Sequence, residues 1–470
     1  MNITHLSAEC YPIAKVGGLA DVVGALPKYQ NELGANSRVI MPFYNNAYTS
    51  THQFHSIYNS VLNLGETTYE YQILKLQNEA LEFDIFFVHV PELLFKDYVY
   101  SAEDTLRFLA FQIGALDWII QQDELPEVIH CHDHHTGLVP FMMKESYKYA
   151  KLQGVPSILT IHNAQYQGWF SHDLVGLIPE FNFVHVGLLD WYSVINPLAS
   201  AIKCAWRVTT VSPSYMEELK ASANGLEALL RHEYAKCIGI LNGIDTEVWN
   251  PETDSYVIKN YNIDTIAEGK ESNKAWICKE FNLDINKPLI AFIGRLVHEK
   301  GSDLFPGIFD TILQQNNCNI LLLGSGNSDV ELQLNTLKPS FAGIYNTFIG
   351  YDEKLSHIIY AGADFLLMPS RVEPCGLNQM YSLRYGTIPI VNKIGGLKDT
   401  VIDINTPNGF GICHDGATPA EICNAINRAV AFYDDPKFTQ IRREIMTIDH
   451  SWHASAKAYL NLYNSLKPAL

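Results

Sequence analysis

The chain alternates between short apolar runs and stretches with helical spacing from one end to the other. The apolar runs predict strands at 1–7, 37–43, 81–90, 127–132, 157–162 and 207–212 in the first half, and at 289–294, 319–324, 343–350, 364–369 and 388–392 in the second. Most of them are continuously apolar, which is typical of parallel strands covered on both faces. Repeated strand–helix units predict doubly wound α/β sheets.

The two series of strands predict two domains. A chain of 470 residues is longer than one compact core usually accommodates. The sequence LNGIDTEVWNP at 241–251 combines Asn-Gly, Asp and Pro turn signals, so we place the boundary there. In open α/β sheets, ligands bind beyond the carboxyl ends of the strands. The residues that follow each strand are therefore the candidates for chemistry.

Composition and charge exclude several classes of partner. Lys and Arg number 33 against 51 Asp and Glu, a net charge of −18, so we expect no nucleic-acid partner and no binding to anionic membranes. The apolar runs are too short for a transmembrane helix, and the N-terminus lacks the pattern of a signal peptide. The nine cysteines form no CxxC pair, which indicates free thiols in a reducing cytoplasm.

A glycine-rich segment follows the first predicted strand. KVGGLAD at 15–21 places Gly17 and Gly18 at the start of a helical pattern, between Lys15 and Asp21. Paired glycines let main-chain amides approach a phosphate, and a helix N-terminus attracts its charge. An ordinary glycine-rich turn explains the pattern equally well, and the spacing matches neither a Walker loop nor GxGxxG.

The second series of strands has two cations after its first strand. Gly294 is followed by Arg295, and Lys300 comes about one helical turn later. Arg and Lys in this arrangement can converge on one diphosphate. An exposed salt-bridge pair is the alternative.

Two more glycine-rich turns lie late in the chain, in PSRVEPCGL at 369–377 and GGL at 395–397. A carboxylate and bare amides at the start of helices favour contact with the hydroxyls or phosphates of a ligand over a purely structural role. The candidate residues of these turns are Glu373, Cys375, Gly376, Leu377, Gly395 and Gly396.

A histidine-rich segment, HCHDHH at 130–135, ends another predicted strand. A metal site is one interpretation, but zinc ligands usually come as separated pairs, and the sequence shows no partner cluster. Side chains alternate along a strand, so His130 and His132 share a face. We favour a sugar pocket that includes Asp133, with His162 and Asn163 at the end of the following strand.

Taken together, these motifs resemble those of the glycogen and starch synthases, which are glycosyltransferases with the GT-B fold. KVGGL at 15–19 matches the KxGGL signature of that family, and EPCGL at 373–377 matches a second signature. The resemblance continues through HD at 132–133, HN at 162–163, NGID at 242–245, GR at 294–295, KG at 300–301, GY at 350–351 and GGL at 395–397. It covers nearly the whole chain in the order of the family.

The resemblance implies an α/β chain of two doubly wound Rossmann-like domains that face each other across a cleft. The first domain would comprise 1–241, carry the acceptor side and be joined by a C-terminal helix at 452–470. The second, 242–451, would bind the nucleotide sugar. The implied activity is retaining transfer of glucose from ADP-glucose to the non-reducing end of glycogen or another α-1,4-glucan, without a cofactor or a metal.

The resemblance also assigns roles to the candidates. Its catalytic group is Glu373, His162, Arg295, Lys300 and Asp133. Its substrate-binding group is Lys15, Gly17, Gly18, Asp21, Asn163, Asn242, Tyr351, Cys375, Gly376, Leu377, Gly395 and Gly396. The cations and glycine amides would hold the diphosphate, Tyr351 would stack on the adenine, and His162, Asn242 and Glu373 would hold the glucose. Glu373 could also be a nucleophile, as in retaining glycosidases, but a carboxylate beside helix amides is better suited to accepting sugar hydroxyls.

Four positions depart from the family pattern, and they bear on acceptor binding and turnover: Asp104, His134, Ala199 and Ile394. The alternatives are a glycosyltransferase with another donor or acceptor, and a catalytically weak relative that binds a glycan or a nucleotide sugar. A glucan phosphorylase is disfavoured because its pyridoxal phosphate motifs are absent. A NAD-dependent dehydrogenase is disfavoured because GSGNSD at 324–329 lacks the third glycine of GxGxxG.

Overall fold

The computed structural model describes residues 1–77 and 81–466, which form two compact units. Unit 1 contains Met1–Leu241 and Trp452–Leu470, and unit 2 contains Asn242–Ser451. The chain therefore leaves unit 1 once, forms the whole of unit 2, and returns to unit 1 with its last helix.

Unit 1 is built on a mostly parallel sheet that has nine strands within the described residues. The strands of the unit are β1 (Asn2–Leu6), β2 (Asn36–Pro42), β3 (Phe54–Leu64), β4 (Thr67–Leu76), β5 (Asp84–His89), β6 (Val128–His132), β7 (Ser157–Ile161), β8 (Asp190–Trp191), β9 (Val194–Ile195), β10 (Arg207–Thr210) and β11 (Cys237–Gly239). The sheet order is β11-β10-β7-β6-β1-β2-β5-β4-β3, and β8 and β9 form a separate hairpin.

The helices of unit 1 connect these strands, and the last one comes from the C-terminus. They are α1 (Gly18–Glu32), α2 (Ala47–Thr51), α3 (Thr105–Ile119), α4 (Val139–Glu145), α5 (Pro197–Cys204), α6 (Pro213–Ala221), α7 (Glu227–His232) and the C-terminal helix, Trp452–Asn464. The C-terminal helix packs against α1 and buries Trp452, Tyr459 and Tyr463 in a shared apolar cluster with Leu26. Residues 467–470, the end of the predicted helix, lie outside the described residues.

The two longest strands of unit 1 escape the apolar-run pattern. β3 and β4 pair antiparallel, and β4 continues antiparallel onto β5. Most side chains of β3 are exposed or half-buried. A strand with little buried surface needs no continuous apolar run, so its sequence gives only a weak signal.

Unit 2 has a parallel sheet of six strands within the described residues, in the order β14-β13-β12-β15-β16-β17. Its elements are β12 (Leu289–Ile293), β13 (Asn319–Gly324), β14 (Tyr345–Ile349), β15 (Phe365–Met368), β16 (Ile388–Asn392), β17 (Ile412–His414), α8 (Ile266–Glu280), α9 (Phe305–Leu313), α10 (Ser328–Leu337), α11 (Glu353–Gly362), α12 (Asn378–Arg384), α13 (Gly395–Thr400), α14 (Pro419–Tyr433) and α15 (Phe438–Ile445).

The core of unit 2 lies on both faces of this sheet. Ile290 and Phe292 of β12 belong to one buried cluster, whereas Leu289 and Ala291 belong to another. Alternate side chains of one strand therefore enter different cores, which is why the strand is apolar at every position. The predicted α/β class with parallel Rossmann-like sheets is confirmed. In the described part of the chain, no helix combines the length and the apolar character needed to cross a bilayer.

Candidate functional site

The carboxyl ends of neighbouring strands in unit 2 meet through glycines. The Gly294 amide donates to the Leu323 carbonyl (3.0 Å), and the Gly350 amide donates to the Gly324 carbonyl (3.0 Å). A Cβ at Gly324 would lie 2.1 Å from the Gly294 oxygen, so a side chain there would collide with main chain. The main chains of these strand ends therefore lie close together at the carboxyl edge of the sheet.

Lys300 and Glu373 form the central ion pair of this edge. The Lys300 ammonium donates to both carboxylate oxygens of Glu373, at 2.7 and 2.6 Å, and the Ser370 hydroxyl donates to Oε2 at 2.8 Å. The Glu373 side chain is buried, while that of Lys300 is 25% exposed. A buried carboxylate is stable here because it is paired and hydrogen-bonded.

The segments that carry these two residues are tied to each other by Arg371. Its guanidinium contacts both carboxylate oxygens of Asp303, at 2.5 and 2.9 Å, and its amide donates to the Glu299 carbonyl at 2.7 Å. Bidentate Arg–carboxylate pairs fix geometry as well as charge. The positions of Lys300 and Glu373 therefore depend on a clamp that the sequence analysis did not identify.

Arg295 differs from Lys300 in its surroundings. Its side chain is exposed, and among the described residues no carboxylate lies within ion-pairing distance of it. The sequence analysis grouped the two cations. The structure pairs Lys300 with Glu373 and leaves the Arg295 guanidinium accessible to an external anion.

The Gly395–Gly396 pair begins α13 directly against the main chain of the EPCGL segment. The Gly396 amide donates to the Glu373 carbonyl at 3.1 Å. A Cβ at Gly395 would lie 2.0 Å from the Glu373 oxygen, and one at Gly396 would lie 1.9 Å from the Cys375 oxygen. The glycines therefore serve close main-chain packing, whatever further contacts they make.

Asn242 and Cys375 lie together at this edge. Burial raises the pKa of the Cys375 thiol to about 12, although the main-chain amide of Asn242 acts in the opposite direction, so the thiol is neutral. The Oδ1 atom of Asn242 is buried, and no hydrogen-bond partner for it lies among the described residues. A buried acceptor of this kind can be satisfied by a ligand.

The remaining unit 2 candidates lie at turns. Gly376 has a φ of 71°, which favours glycine, and Leu377 precedes α12. Tyr351 follows Gly350 at the end of β14, and its side chain is 80% exposed. An exposed ring in this position is available for stacking.

In unit 1, the glycine-rich segment caps the start of α1. The Lys15 ammonium donates to Asp21 at 2.7 Å. The amides of Val16 and Gly17 donate to Oε2 of the buried Glu9, at 2.6 and 2.9 Å, and the Tyr100 hydroxyl binds the other oxygen. The Gly17 amide, which the sequence analysis predicted to bind a phosphate, therefore already donates a hydrogen bond to Glu9. A Cβ at Gly17 or Gly18 would meet open space.

Asp133 joins the ends of β6 and β7. Its Oδ1 accepts from the amides of His162 (2.7 Å) and Asn163 (3.4 Å), and its own φ is 56°, a strained value for a non-glycine residue. Burial raises the pKa of Asp133 to about 7, although the two amide hydrogen bonds act in the opposite direction. The structure thus brings together Asp133, His162 and Asn163.

The His162 ring contacts a second histidine behind it. Its Nε2 lies 3.0 Å from Nδ1 of His132, and burial lowers the pKa of His162 to about 3. His132 in turn contacts His5 of β1, which the sequence analysis missed because His5 is a single residue far from any motif. The imidazole of His162 is therefore neutral at physiological pH.

The four departures from the family pattern have local structural roles. Asp104 pairs with Arg107 at the start of α3, and the Ala199 amide is capped by Asn196 at 3.0 Å. Ile394 precedes α13. His134 packs under Gly168, where a Cβ would lie 2.5 Å from its ring.

Comparison with known proteins agrees with this geometry. A model of the starch synthase catalytic domain matches residues 2–232, and a model of the glycosyl transferases group 1 matches residues 276–437. Two Rossmann-like units with cations and glycine-rich turns at their strand ends define a glycosyltransferase of the GT-B class. The glycogen synthase of Flavobacterium johnsoniae is 50% identical over 468 residues, and that of Anoxybacillus flavithermus is 36% identical over 481, each covering 99% of this chain. The alignments cover 99% and 98% of those proteins. The chain belongs to the glycogen and starch synthase family.

Solved structures place the fold in the same class. The catalytic domain of starch synthase IV from Arabidopsis thaliana, bound to ADP and acarbose, aligns with a TM-score of 0.84 and 32% identity over 99% of both chains. Sucrose-phosphate synthase from Thermosynechococcus elongatus aligns with a TM-score of 0.61 at 16% identity, over 99% of this chain and 98% of that one, and shares the fold.

Proposed function

We propose that this glycosyltransferase transfers glucose from ADP-glucose to the non-reducing end of an α-1,4-glucan such as glycogen, with retention of anomeric configuration. The observation that carries the proposal is the ion pair between Lys300 and the buried Glu373, together with the accessible guanidinium of Arg295, at the strand ends of unit 2. The ADP and acarbose in the 32%-identical starch synthase structure support the choice of donor and acceptor.

The leaving group is the part of the substrate that these cations suit. Breaking the bond between glucose and the diphosphate places negative charge on the departing phosphate. Arg295 and Lys300 therefore bind the transition state more strongly than the ground state, and this difference lowers the barrier. Arg295 needs no rearrangement to meet an anion, whereas Lys300 shares its charge with Glu373.

Glu373 holds the transferred glucose and orients Lys300 rather than attacking the sugar. Both of its oxygens already accept hydrogen bonds, from Lys300 and Ser370. Those bonds stabilise the negative charge and reduce its reactivity as a nucleophile. In this proposal the leaving phosphate and the acceptor hydroxyl react on the same face of the sugar, through a short-lived ion pair.

The other binding residues supply specificity. The exposed ring of Tyr351 stacks on the adenine, and Asn242 presents its unsatisfied Oδ1 to a hydroxyl group of the donor, beside Cys375. Gly376, Leu377, Gly395 and Gly396 shape the turns around Glu373.

Unit 1 offers its own groups. Lys15 exchanges Asp21 for a phosphate, with the open faces of Gly17 and Gly18 beside it. Asp133 fixes the loop of His162 and Asn163, and His162 hydrogen-bonds a sugar hydroxyl. We place the reaction in the cytoplasm, because all nine cysteines are free thiols.

The test is transfer of radiolabelled glucose to glycogen, with ADP-glucose and UDP-glucose in parallel reactions and EDTA in both. We expect incorporation from ADP-glucose in the presence of EDTA. Incorporation from UDP-glucose alone would refute the choice of base. No incorporation from either donor by folded protein would refute the proposed reaction in favour of a binding protein or another donor.

A further inference from the structure

A continuous chain of buried polar side chains runs through unit 1 behind His162. Its members come from six elements and are shielded from solvent: His5 on β1, Gln30 on α1, His130 and His132 on β6, Thr160 on β7, Thr209 on β10 and Tyr463 on the C-terminal helix. Polar groups are placed so deeply only when they satisfy one another. The chain therefore has a definite pattern of donors and acceptors.

One arm of this chain joins His162 to Gln30 through two imidazoles. His162 Nε2 lies 3.0 Å from His132 Nδ1, and His132 Nε2 lies 3.1 Å from His5 Nδ1. His5 Nε2 lies 2.9 Å from Oε1 of Gln30, which also accepts from the Ser37 hydroxyl at 2.7 Å.

The other arm joins Gln30 to a main-chain carbonyl. Gln30 Nε2 lies 3.4 Å from the Tyr463 hydroxyl, which lies 2.7 Å from His130 Nδ1. His130 Nε2 lies 2.6 Å from the Thr160 hydroxyl, and that hydroxyl lies 2.6 Å from the Thr209 hydroxyl. Thr209 ends the arm by contacting the Leu159 carbonyl at 3.3 Å.

Either hydroxyl of the 2.6 Å Thr160–Thr209 pair could be the donor, and we take the direction of the second arm from the contact between Thr209 and the Leu159 carbonyl. A carbonyl only accepts, so Thr209 donates to Leu159, and its oxygen accepts from Thr160. Thr160 has then used its one proton and accepts from His130 Nε2–H. A neutral imidazole has one donor and one acceptor, so His130 Nδ1 accepts from the Tyr463 hydroxyl.

The first arm has the same direction as far as His162. Tyr463 has donated its proton and accepts from the amide nitrogen of Gln30, so the Gln30 oxygen faces His5 and accepts from its Nε2–H. His5 Nδ1 then accepts from His132 Nε2–H, and His132 Nδ1 accepts from His162 Nε2–H. The Nδ1 atom of His162 is left with a lone pair, and it has no partner among the described residues.

The imidazoles of His5, His130 and His132 are neutral because they are buried. Burial lowers the pKa of His5 to about 4 and the pKa values of His130 and His132 far below the usual range. His5, His130 and His132 also place one nitrogen each within 4.8 Å of one another. All six of their ring nitrogens already have hydrogen-bond partners, so the cluster is a hydrogen-bond relay and not a set of free metal ligands.

We propose that this chain fixes His162 as its Nε2–H tautomer, so that Nδ1 accepts a hydrogen bond from a hydroxyl group of the sugar. Gln30, Tyr463 and Thr209 are then positioning residues for the reaction, although none of them touches His162. The tautomer follows from unit 1 alone, and only the use made of it rests on the proposed function.

The tautomer can be measured directly by NMR of protein labelled with ¹⁵N in the histidine rings. Coupling patterns show which ring nitrogen carries the proton, and His162→Gln assigns the His162 signal by its loss. We expect the proton on Nε2 in His5, His130, His132 and His162 of the unmodified protein. A proton on Nδ1 of His162 would overturn the proposal, and this measurement does not depend on activity.

Thr209→Val tests whether the chain is the cause. Without the Thr209 hydroxyl, Thr160 can satisfy its proton only by donating to His130, which reverses every later bond and moves the His162 proton to Nδ1. Thr209→Ser keeps the hydroxyl and is expected to keep the original tautomer. If His162 keeps its Nε2 proton in folded Thr209→Val, the chain of hydrogen bonds does not determine the tautomer of His162.

The catalytic consequence is measured separately. In Thr209→Val we expect kcat with ADP-glucose to fall about tenfold, the effect of about one hydrogen bond, while Thr209→Ser remains within about twofold of the unmodified enzyme. Tyr149→Phe is the matched control, because it removes another buried tyrosine hydroxyl of unit 1, bonded to Asp117 at 2.9 Å, outside the chain. If kcat is unchanged in a Thr209→Val protein whose tautomers are reversed, the His162 tautomer has no role in the reaction. The assignment of the tautomer itself would still hold.

Discussion

At the scale of single residues, the accessible guanidinium of Arg295 contrasts with the engaged ammonium groups of Lys15 and Lys300. Lys15 is paired with Asp21, and Lys300 is paired with Glu373. A solvated guanidinium without a counter-charge destabilises the folded protein little, and it can form strong hydrogen bonds with an anion that binds. Arg295 should therefore matter for catalysis and hardly at all for folding.

Arg295→Ala is expected to lower kcat by about a hundredfold or more, because a preorganised charge at the leaving group is lost. The midpoint of urea unfolding should stay unchanged. Steady-state kinetics and denaturation of the same preparation check both parts. Arg443→Ala, at another exposed arginine of unit 2, is the control. Near-normal kcat in Arg295→Ala would remove that residue from the proposed mechanism.

Asp133 provides a pH-dependent test. Its pKa is raised from 3.8 to about 7 in the folded protein, so the folded state retains a proton that the unfolded state has lost between those values. The contribution of this group to stability is therefore present below about pH 4 and decreases as the pH rises to about 7. Urea unfolding at several pH values should show a smaller decrease for Asp133→Asn. Parallel profiles for the two proteins would contradict the raised pKa.

Residues in motifs could be identified from the sequence, but the residues that hold them in position through hydrogen bonds could not. Asp133 follows one predicted strand and His162 ends the next, and parallel strands end at the same edge of a sheet. Glu9 and Tyr100 belong to no motif. Each is a single polar residue whose importance depends on which main-chain amide or carboxylate the fold brings to it.

At the scale of elements, the packing of α13 against the EPCGL segment depends on Gly396. A Cβ there would lie 1.9 Å from the Cys375 carbonyl oxygen, a main-chain atom that cannot rotate away. The position tolerates no side chain without moving a helix or the turn that carries Glu373.

Gly396→Ala is expected to destabilise unit 2 by about 3 kcal/mol or more, the cost of overpacking a rigid site. Gly307→Ala, where a Cβ on α9 meets nothing within 4 Å, is the control and should stabilise slightly. Urea unfolding followed by circular dichroism compares the two. Equal midpoints would show that the turn can relax.

Elements buried on both faces were the ones that the sequence predicted well. β12 and β13 are apolar at nearly every position because both faces of the sheet are covered. β11 and β17 have three residues each, too few for a pattern to emerge from the surrounding turns. The strand β3 was missed because most of its side chains are exposed or half-buried, so it has no continuous apolar run.

At the scale of the whole molecule, the net charge of −18 opposes the binding of any polyanion. The donor of the proposed reaction is anionic, so local cations would have to bind it against the overall field. Two of the candidate cations, Lys15 and Lys300, already have carboxylate partners. A ligand must offer its phosphates in a particular geometry to gain from them, which favours selectivity over general attraction to anions.

The return of the C-terminal helix to unit 1 has a consequence for biosynthesis. During translation, all of unit 2 is synthesised before the C-terminal helix that completes unit 1. Until that helix is made, the apolar surface of α1 around Leu26 is not covered by it. Such a surface is a target for chaperones and a risk for aggregation. A stop codon late in the gene would therefore damage the half of the enzyme that was translated first.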